Sequence, residues 1–252
     1  MSEQQIGSEI IVLNSISSTN DYACDLIQRK TATSGMIIRA FMQTEGRGHG
    51  TNVWISPSGE NLTFSLILFP EKLHASKQFV LTQILCLSIL DFLTELAGDQ
   101  QFRIKWPNDI YSGEKKICGI LIENAITGEW ITHSVMGAGI NINTTEFPKT
   151  LPNPVSLKLI TQQSHRVDQC LDLLIKKMNC RFALIDEEFH KQLDEEYEKN
   201  LFRKDALHKF IYQDKEIEAT IRGVCEFGQL VLEKKDGSQL ICGFKEIEYS
   251  IN

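Results

Sequence analysis

The chain predicts an α+β fold: a mixed, largely antiparallel sheet with helices packed on one face, followed by a small β unit at the C-terminal end. Three observations carry this. Short strand-like runs are joined by tight turns such as Ser112-Gly113-Glu114 and Thr127-Gly128-Glu129, which suits hairpins better than the long crossovers of a doubly wound parallel sheet. Long helical stretches lie between these runs. From Phe210 onward the pattern changes to apolar and polar residues in alternation, with Gly228 and Asp236-Gly237 at the reversals, as in short antiparallel strands.

Residues 9–13 read as a first strand, after which Ser18 or Thr19 can cap a helix to about Lys30, because their hydroxyls satisfy free backbone N–H groups. Residues 36–43 and 62–69 are strand-like and separated by a glycine loop. The second run is apolar at nearly every position, which implies a covered sheet. A long helix at 76–97 precedes strands at 102–106, 116–125 and 130–137. The stretch 143–154 holds three of the six prolines and reads as a surface loop. It leads into 156–161 and a helix over 167–188. The charged run 186–204 is expected to carry the chain out of the main domain, giving a domain at 1–200 and a smaller one at 201–252.

A chain of 252 residues with 42% hydrophobic residues can fill both cores. The longest apolar stretch, 79–96, contains Gln83, Asp91 and Glu95, so it reads as a buried helix and not a membrane span. No basic region followed by an apolar run opens the sequence, and a cytoplasmic location is expected. Seven cysteines without a Cys-x-x-Cys pair speak against a disulfide framework or zinc site, and the six histidines show no metal-ligand spacing. A net charge of −7 argues against a broad phosphate-binding surface but leaves local anion sites open.

Chemistry concentrates in a few short segments. Gly46-Arg47-Gly48-His49-Gly50 places an arginine among glycines, which lets the backbone approach a ligand while a planar fork of donors meets phosphate or carboxylate. Lys105-Trp106-Pro107-Asn108-Asp109 sets a second cation at a strand end. Gly137-Ala138-Gly139-Ile140-Asn141 supplies a third element, and Ser18-Thr19-Asn20 a fourth. Each has an ordinary reading as well: Ser18 to Asn20 as a helix cap, Asn108 and Asp109 as turn formers, Trp54 as core and Gly119 as a β-bulge.

In order, Ser-Thr-Asn, Gly-Arg-Gly-x-x-x-Asn-x-Trp-x-Ser-Pro, Lys-Trp-Pro-Asn-Asp, Lys-x-x-Gly-Ile-Leu-x-Glu and Gly-x-Gly-Ile-Asn resemble the biotin protein ligase family over essentially the whole chain. The resemblance implies the biotin–lipoate ligase fold, akin to class II aminoacyl-tRNA synthetases, with an SH3-like barrel at the C-terminus. It implies that biotin and ATP are joined to biotinyl-5′-AMP, with Mg²⁺ arriving on the nucleotide. The biotinyl group then passes to one lysine of a biotin carboxyl carrier protein, part of acetyl-CoA carboxylase or a related carboxylase.

On this resemblance Lys105 and Arg47 are the catalytic cations. Ser18, Thr19, Asn20, Gln43, Arg47, Gly48, His49, Lys105 and Gly119 hold biotin or the adenylate, and Asn52, Trp54, Asn108 and Asn141 the nucleotide. Many members carry a basic or amide residue and then Arg-Gly after the first Gly-Arg-Gly, where this chain reads His49-Gly50-Thr51. The loop thus keeps Arg47 but loses a second fixed charge. The first strand begins within about ten residues of Met1, so no DNA-binding domain, no DNA and no membrane partner are expected. Edge strands leave pairing into a homodimer open. The rival readings are a lipoate-type ligase or acyltransferase of the related fold, and a noncatalytic biotin-responsive regulator.

Overall fold

The computed structural model describes residues 5–250 apart from 51, 58, 99, 184–186 and 226, with the backbone alone for 187–190. Thr51 of the glycine loop and Asp186 at the head of the charged run therefore lie outside the described residues. Seven strands form the main sheet: β1 (Ile10–Ile16), β2 (Ile37–Gln43), β3 (Leu62–Leu68), β4 (Phe102–Lys105), β5 (Asp109–Ser112), β6 (Lys115–Thr127) and β7 (Trp130–Ile140). Their spatial order is β1-β2-β3-β7-β6-β5-β4. Only β1 and β2 run parallel, joined across helix α1 (Thr19–Gln28). The remaining neighbours are antiparallel.

The two faces of this sheet differ because side chains alternate along each strand. Leu62, Phe64, Leu66 and Leu68 of β3 enter the main core with Met136, Ala138 and Ile140 of β7 and Cys118 and Ile120 of β6. The residues between them, Thr63 and Ser65, Gly137 and Gly139, Gly119 and Leu121, face the other way. Strand β3 is thus buried throughout, yet only half of it is apolar core. The other half is the ground on which a site is built.

Helices α2 (Phe79–Ala97), α4 (Val167–Phe182) and α5 (Glu187–Lys199) stack on the core face, with the short α3 (Leu157–Thr161) beside them. Helix α2 is apolar nearly all round because it lies between the sheet and α4 and α5. The stretch Ala75–Ala97 is long and apolar enough to cross a membrane, but 72% of its apolar window is buried within the protein. On the opposite face α1 packs alone, burying Ala23 against Met36, Ile38, Ile67 and Val135. The rest of that face is left uncovered for the cleft described below.

The charged run forms helix α5, after which the chain enters the second sheet, and α4 stops at Phe182 rather than continuing to 188. Leu193 and Tyr197, four residues apart, put one apolar stripe on an otherwise polar helix and bury it. The Tyr197 hydroxyl donates to the Pro107 carbonyl at 2.6 Å. Arg181 of α4 ties three helices, meeting both Asp91 oxygens at 2.6 and 2.8 Å and both Glu196 oxygens at 2.8 and 2.9 Å. Hydrogen bonds from Arg181 hold the Glu196 carboxyl below its ordinary pKa against the opposing effect of burial. Its stabilising share is therefore present above the ordinary carboxylate pKa and fades as pH falls through the lowered one. Arg181→Met is expected to cost about 2 kcal/mol at neutral pH, and the difference from wild type should shrink in acid. Thermal melts across pH 3–7 check this; a gap that stays constant in acid contradicts it.

Strands β8 (Leu207–Tyr212), β9 (Lys215–Val224), β10 (Leu230–Lys234), β11 (Gln239–Cys242) and β12 (Ile247–Tyr249) form a second, antiparallel sheet in the order β11-β10-β9-β8-β12. Its buried Phe210, Ile221, Leu230 and Leu232 belong to the same hydrophobic cluster as the main core. At the junction Ile104 donates to Asn200 and receives from Phe202, both at 2.8 Å. The Trp106 indole N–H donates to the Gly228 carbonyl at 2.7 Å.

Candidate active site

A cleft of about 920 Å³ opens on the glycine-bearing face of the main sheet. It is walled by the start of α1, the glycine loop, the β4–β5 turn and the segment 244–249 of the small sheet. Every residue given a catalytic or binding role from the sequence lines it except Asn141. That side chain is buried and donates to the Val155 carbonyl at 3.0 Å, while its N–H donates to Ile117 at 2.9 Å. Asn141 anchors the following loop to the sheet and is not brought to the cleft.

Polar groups gather at the start of α1. Ser18 accepts from the Asp21 N–H at 3.3 Å and caps the helix. Thr19 donates to Gln43 Oε1 from its backbone at 2.7 Å and its hydroxyl at 3.0 Å. The Ser65 hydroxyl lies 2.7 Å from Thr19 Oγ1 and 2.6 Å from Asn20 Oδ1, and Asn20 Nδ2 donates to Glu123 Oε2 at 2.7 Å. Capping and cleft lining therefore coexist. Asn20 can cross the sheet only because Gly137 has no side chain: a Cβ there would sit 2.3 Å from Asn20 Oδ1.

Gly119 and Gly139 face each other in register on β6 and β7. The Trp54 indole lies across them, with Cε2 2.2 Å from where a Gly139 Cβ would be and Cζ3 3.3 Å from that of Gly119. Trp54 is accordingly a half-buried cleft residue and not core. Its Nε1 and the Thr63 hydroxyl are buried without hydrogen-bond partners among the described residues. Two orphaned polar atoms beside a flat glycine floor suit a ligand carrying both a ring and polar edges.

The glycine loop is a small hairpin, closed by Trp54 N–H to Gly46 O and Gly48 N–H to Asn52 O, both 2.8 Å. Asn52 and His49 are exposed on it, and the His49 ring meets Phe244 edge-on at 6.3 Å. Gly50 has φ +69, and the Lys245 amine occupies the space a Cβ would need. Arg47 is engaged by acids: Nη1 and Nη2 reach the Glu123 oxygens at 3.1 and 2.9 Å, and Nη2 lies 2.7 Å from Asp21. Partial burial works to lower its pKa, but Glu123 and Asp21 raise it overall.

Glu123 was legible only as the last residue of the Lys-x-x-Gly-Ile-Leu-x-Glu motif. Standing four positions beyond Gly119 on one strand, it shares that residue's face. Glu123→Gln should therefore free Arg47 and loosen the hairpin, making tryptic cleavage after Arg47 several-fold faster without ligand. Unchanged cleavage would show that Glu123 does not hold the loop.

Two lysines face the hairpin. Lys105 ends β4, its pKa lowered by burial and supported in the other direction by Asp109. Its amine lies 3.3 Å from the Tyr111 hydroxyl. Lys116, the first residue of the same motif as Glu123, is a cleft cation to which the sequence reading gave no role, and it pairs with Asp109 at 2.7 Å. Asn108 donates to the Ile120 carbonyl at 2.6 Å. It sits in the turn, whereas Asp109 begins β5 and pairs in register with Lys105. Phe244, Lys245, Ile247, Glu248 and Tyr249 complete the wall and had no sequence signal. Arg47, Lys105, Lys116 and Lys245 line the cleft together with Asp109 and Glu248, while Asp21 and Glu123 pair with Arg47, so four cations gather at one cleft of an acidic chain.

A glycine floor under a cationic rim defines a cleft for a small ring-bearing ligand together with an anion. The model of the Biotin/lipoate A/B protein ligase family matches residues 12–141, and the chain belongs to that family. It is 31% identical over 233 residues to the bifunctional ligase/repressor BirA of Escherichia coli, covering 90% of this chain and 70% of that protein. The biotin–[acetyl-CoA-carboxylase] ligase of Paracoccus denitrificans is 30% identical over 62% of this chain and 66% of its own length. Against the ligase/repressor of Bacillus subtilis the match spans half of the relative's length. Among solved structures, the Aquifex aeolicus biotin protein ligase in complex with biotin and ATP superposes with a TM-score of 0.80 at 25% identity, covering 96% of this chain and 100% of that one.

Proposed function

We propose that this chain is an ATP-dependent biotin protein ligase, with residues 1–200 as catalytic domain and 201–252 as a small C-terminal domain closing one wall of the cleft. The observation that carries the reading is the pairing of a glycine floor with a rim of cations. Biotin's flat bicycle suits the first, and the triphosphate of ATP the second. In the activation step a biotin carboxylate oxygen bonds to the α-phosphorus while the bond to pyrophosphate breaks, giving biotinyl-5′-AMP. Negative charge builds on the phosphoryl oxygens, so fixed cations lower the barrier. Lys105 is held on a strand and serves the α-phosphate. Arg47, on the hairpin, exchanges Glu123 and Asp21 for the nucleotide.

Ser18, Thr19, Asn20 and Gln43 offer the polar edge for the ureido group, Gly119 the floor, and Gly48 and His49 the cover. Asn52, Trp54 and Asn108 fall on the nucleotide side. Mg²⁺ travels on the triphosphate and needs few protein ligands. In the transfer step a lysine amine of a biotin carboxyl carrier protein attacks the acyl carbon, AMP departs with the bonding pair and the amine proton passes to solvent. The carrier belongs to acetyl-CoA carboxylase or a related carboxylase, as the name of the Paracoccus relative suggests. The chain acts in the cytoplasm without DNA or membrane, and edge strand β1 leaves homodimer pairing open.

Incubation with labelled biotin, ATP and a carrier domain tests the reading. ATP-dependent label on one carrier lysine is expected. No adenylate and no transfer would overturn it, and a biotin-dependent shift of a DNA fragment would favour a regulator.

A further inference from the structure

Lys105 is held by more than the strand it ends. Its ammonium lies 5.2 Å from the ring centroid of Tyr111 and 5.2 Å from that of Tyr249. Tyr111 comes from β5 of the main sheet, but Tyr249 comes from β12 of the small sheet, more than a hundred residues away. A cation within about 6 Å of a ring centroid is attracted by the ring quadrupole, by up to about 2 kcal/mol where water is displaced. Burial alone disfavours the charged amine. The Tyr111 hydroxyl, 3.3 Å from the amine, and the ring of Tyr249 offset that penalty and fix the direction in which the ammonium points.

Tyr249 is itself fixed. Its ring stacks on Phe202 at 6.2 Å and meets Phe210 edge-on at 5.2 Å. Its hydroxyl is buried near the Trp106 backbone, and its ring lies 5.2 Å from the Lys105 ammonium. We propose that Tyr249 is a positioning residue for the activation step: the small sheet presents an aromatic face that keeps Lys105 charged and aimed at the α-phosphate. This rests on the role given to Lys105 above. It gives the second sheet a defined part in the chemistry, separate from merely closing the cleft.

The experiment compares Tyr249→Phe, Tyr249→Leu and a series of increasingly fluorinated phenylalanines at position 249, which weaken the ring quadrupole while keeping its shape. Adenylate formation is read by pyrophosphate release, with Lys105→Ala and the Lys105→Ala/Tyr249→Leu double variant measured alongside. Tyr249→Phe should keep near wild-type kcat, Tyr249→Leu should lose about tenfold, and the fluorinated series should fall stepwise, with KM for biotin and ATP little changed. In the Lys105→Ala background Tyr249→Leu should add nothing. A flat fluorinated series, or an equal loss in the absence of Lys105, overturns the proposal and leaves Lys105 in place. Should Lys105→Ala itself retain activity, the role of Lys105 fails and this inference with it. The fluorinated series stays informative even if Tyr249→Leu fails to fold.

Discussion

Lys105→Ala is expected to leave the chain folded and to lower biotinyl-5′-AMP formation by about 100-fold or more. The side chain ends a strand whose partners are backbone, so its loss removes no ladder hydrogen bond. Another cleft cation, Lys116, is held by Asp109 at 2.7 Å, and Arg47 stands on the hairpin with Glu123 and Asp21. Neither can move to the position of Lys105 without breaking its own ion pair. Pyrophosphate release with biotin and ATP is the measurement, with a thermal melt as control. Activity within a few-fold of wild type would take Lys105 out of the reaction.

Removal of residues 201–252 is expected to be costly for stability as well as turnover. The cut would deprive the buried Trp106 indole of its Gly228 acceptor, worth about 1–3 kcal/mol. It would also uncover Trp106 and Phe79, which pack against Phe244, at about 1.5–3 kcal/mol for each fully exposed side chain. A total near 5 kcal/mol corresponds to a fall in Tm of roughly 10 °C or more for a domain of this size. Activity should fall by more than the tenfold expected for Tyr249 alone, since Phe244, Lys245, Ile247 and Glu248 leave the cleft wall with it. A truncated chain that melts like the full one and still makes adenylate would mean that the small sheet is an accessory.

What could be read in advance was whatever the chain encodes locally. The helix after Ser18 was visible because a cap and an apolar period lie within a dozen residues, and the strands of the main sheet because their alternation does. Most motif residues converged because the strands, turns and helix start that carry them share one sheet face, whereas Asn141, one residue past the end of β7, is turned into the loop it anchors. The packing of helix α5 was not legible because Leu193 and Tyr197 are isolated among charges, and their burial depends on α2 a hundred residues earlier. Strand β5 was hidden behind Trp106-Pro107-Asn108, whose composition speaks for a turn and does turn the chain. Tyr249 carried no signal, since its importance lies in what it meets across the fold.

The Trp54 indole already rests on the floor formed by Gly119 and Gly139. A bicyclic ligand can reach that floor only by taking the indole's place, so one flat ring is exchanged for another and little bare apolar surface is newly withdrawn from water. Calorimetry should then find a heat-capacity change on biotin binding smaller in magnitude than the cleft's size suggests. Trp54→Ala, which leaves the floor wet beforehand, should make that change more negative. The displaced indole would also give the binding event its own fluorescence signal, timed to the departure of the ring and not to the arrival of the ligand.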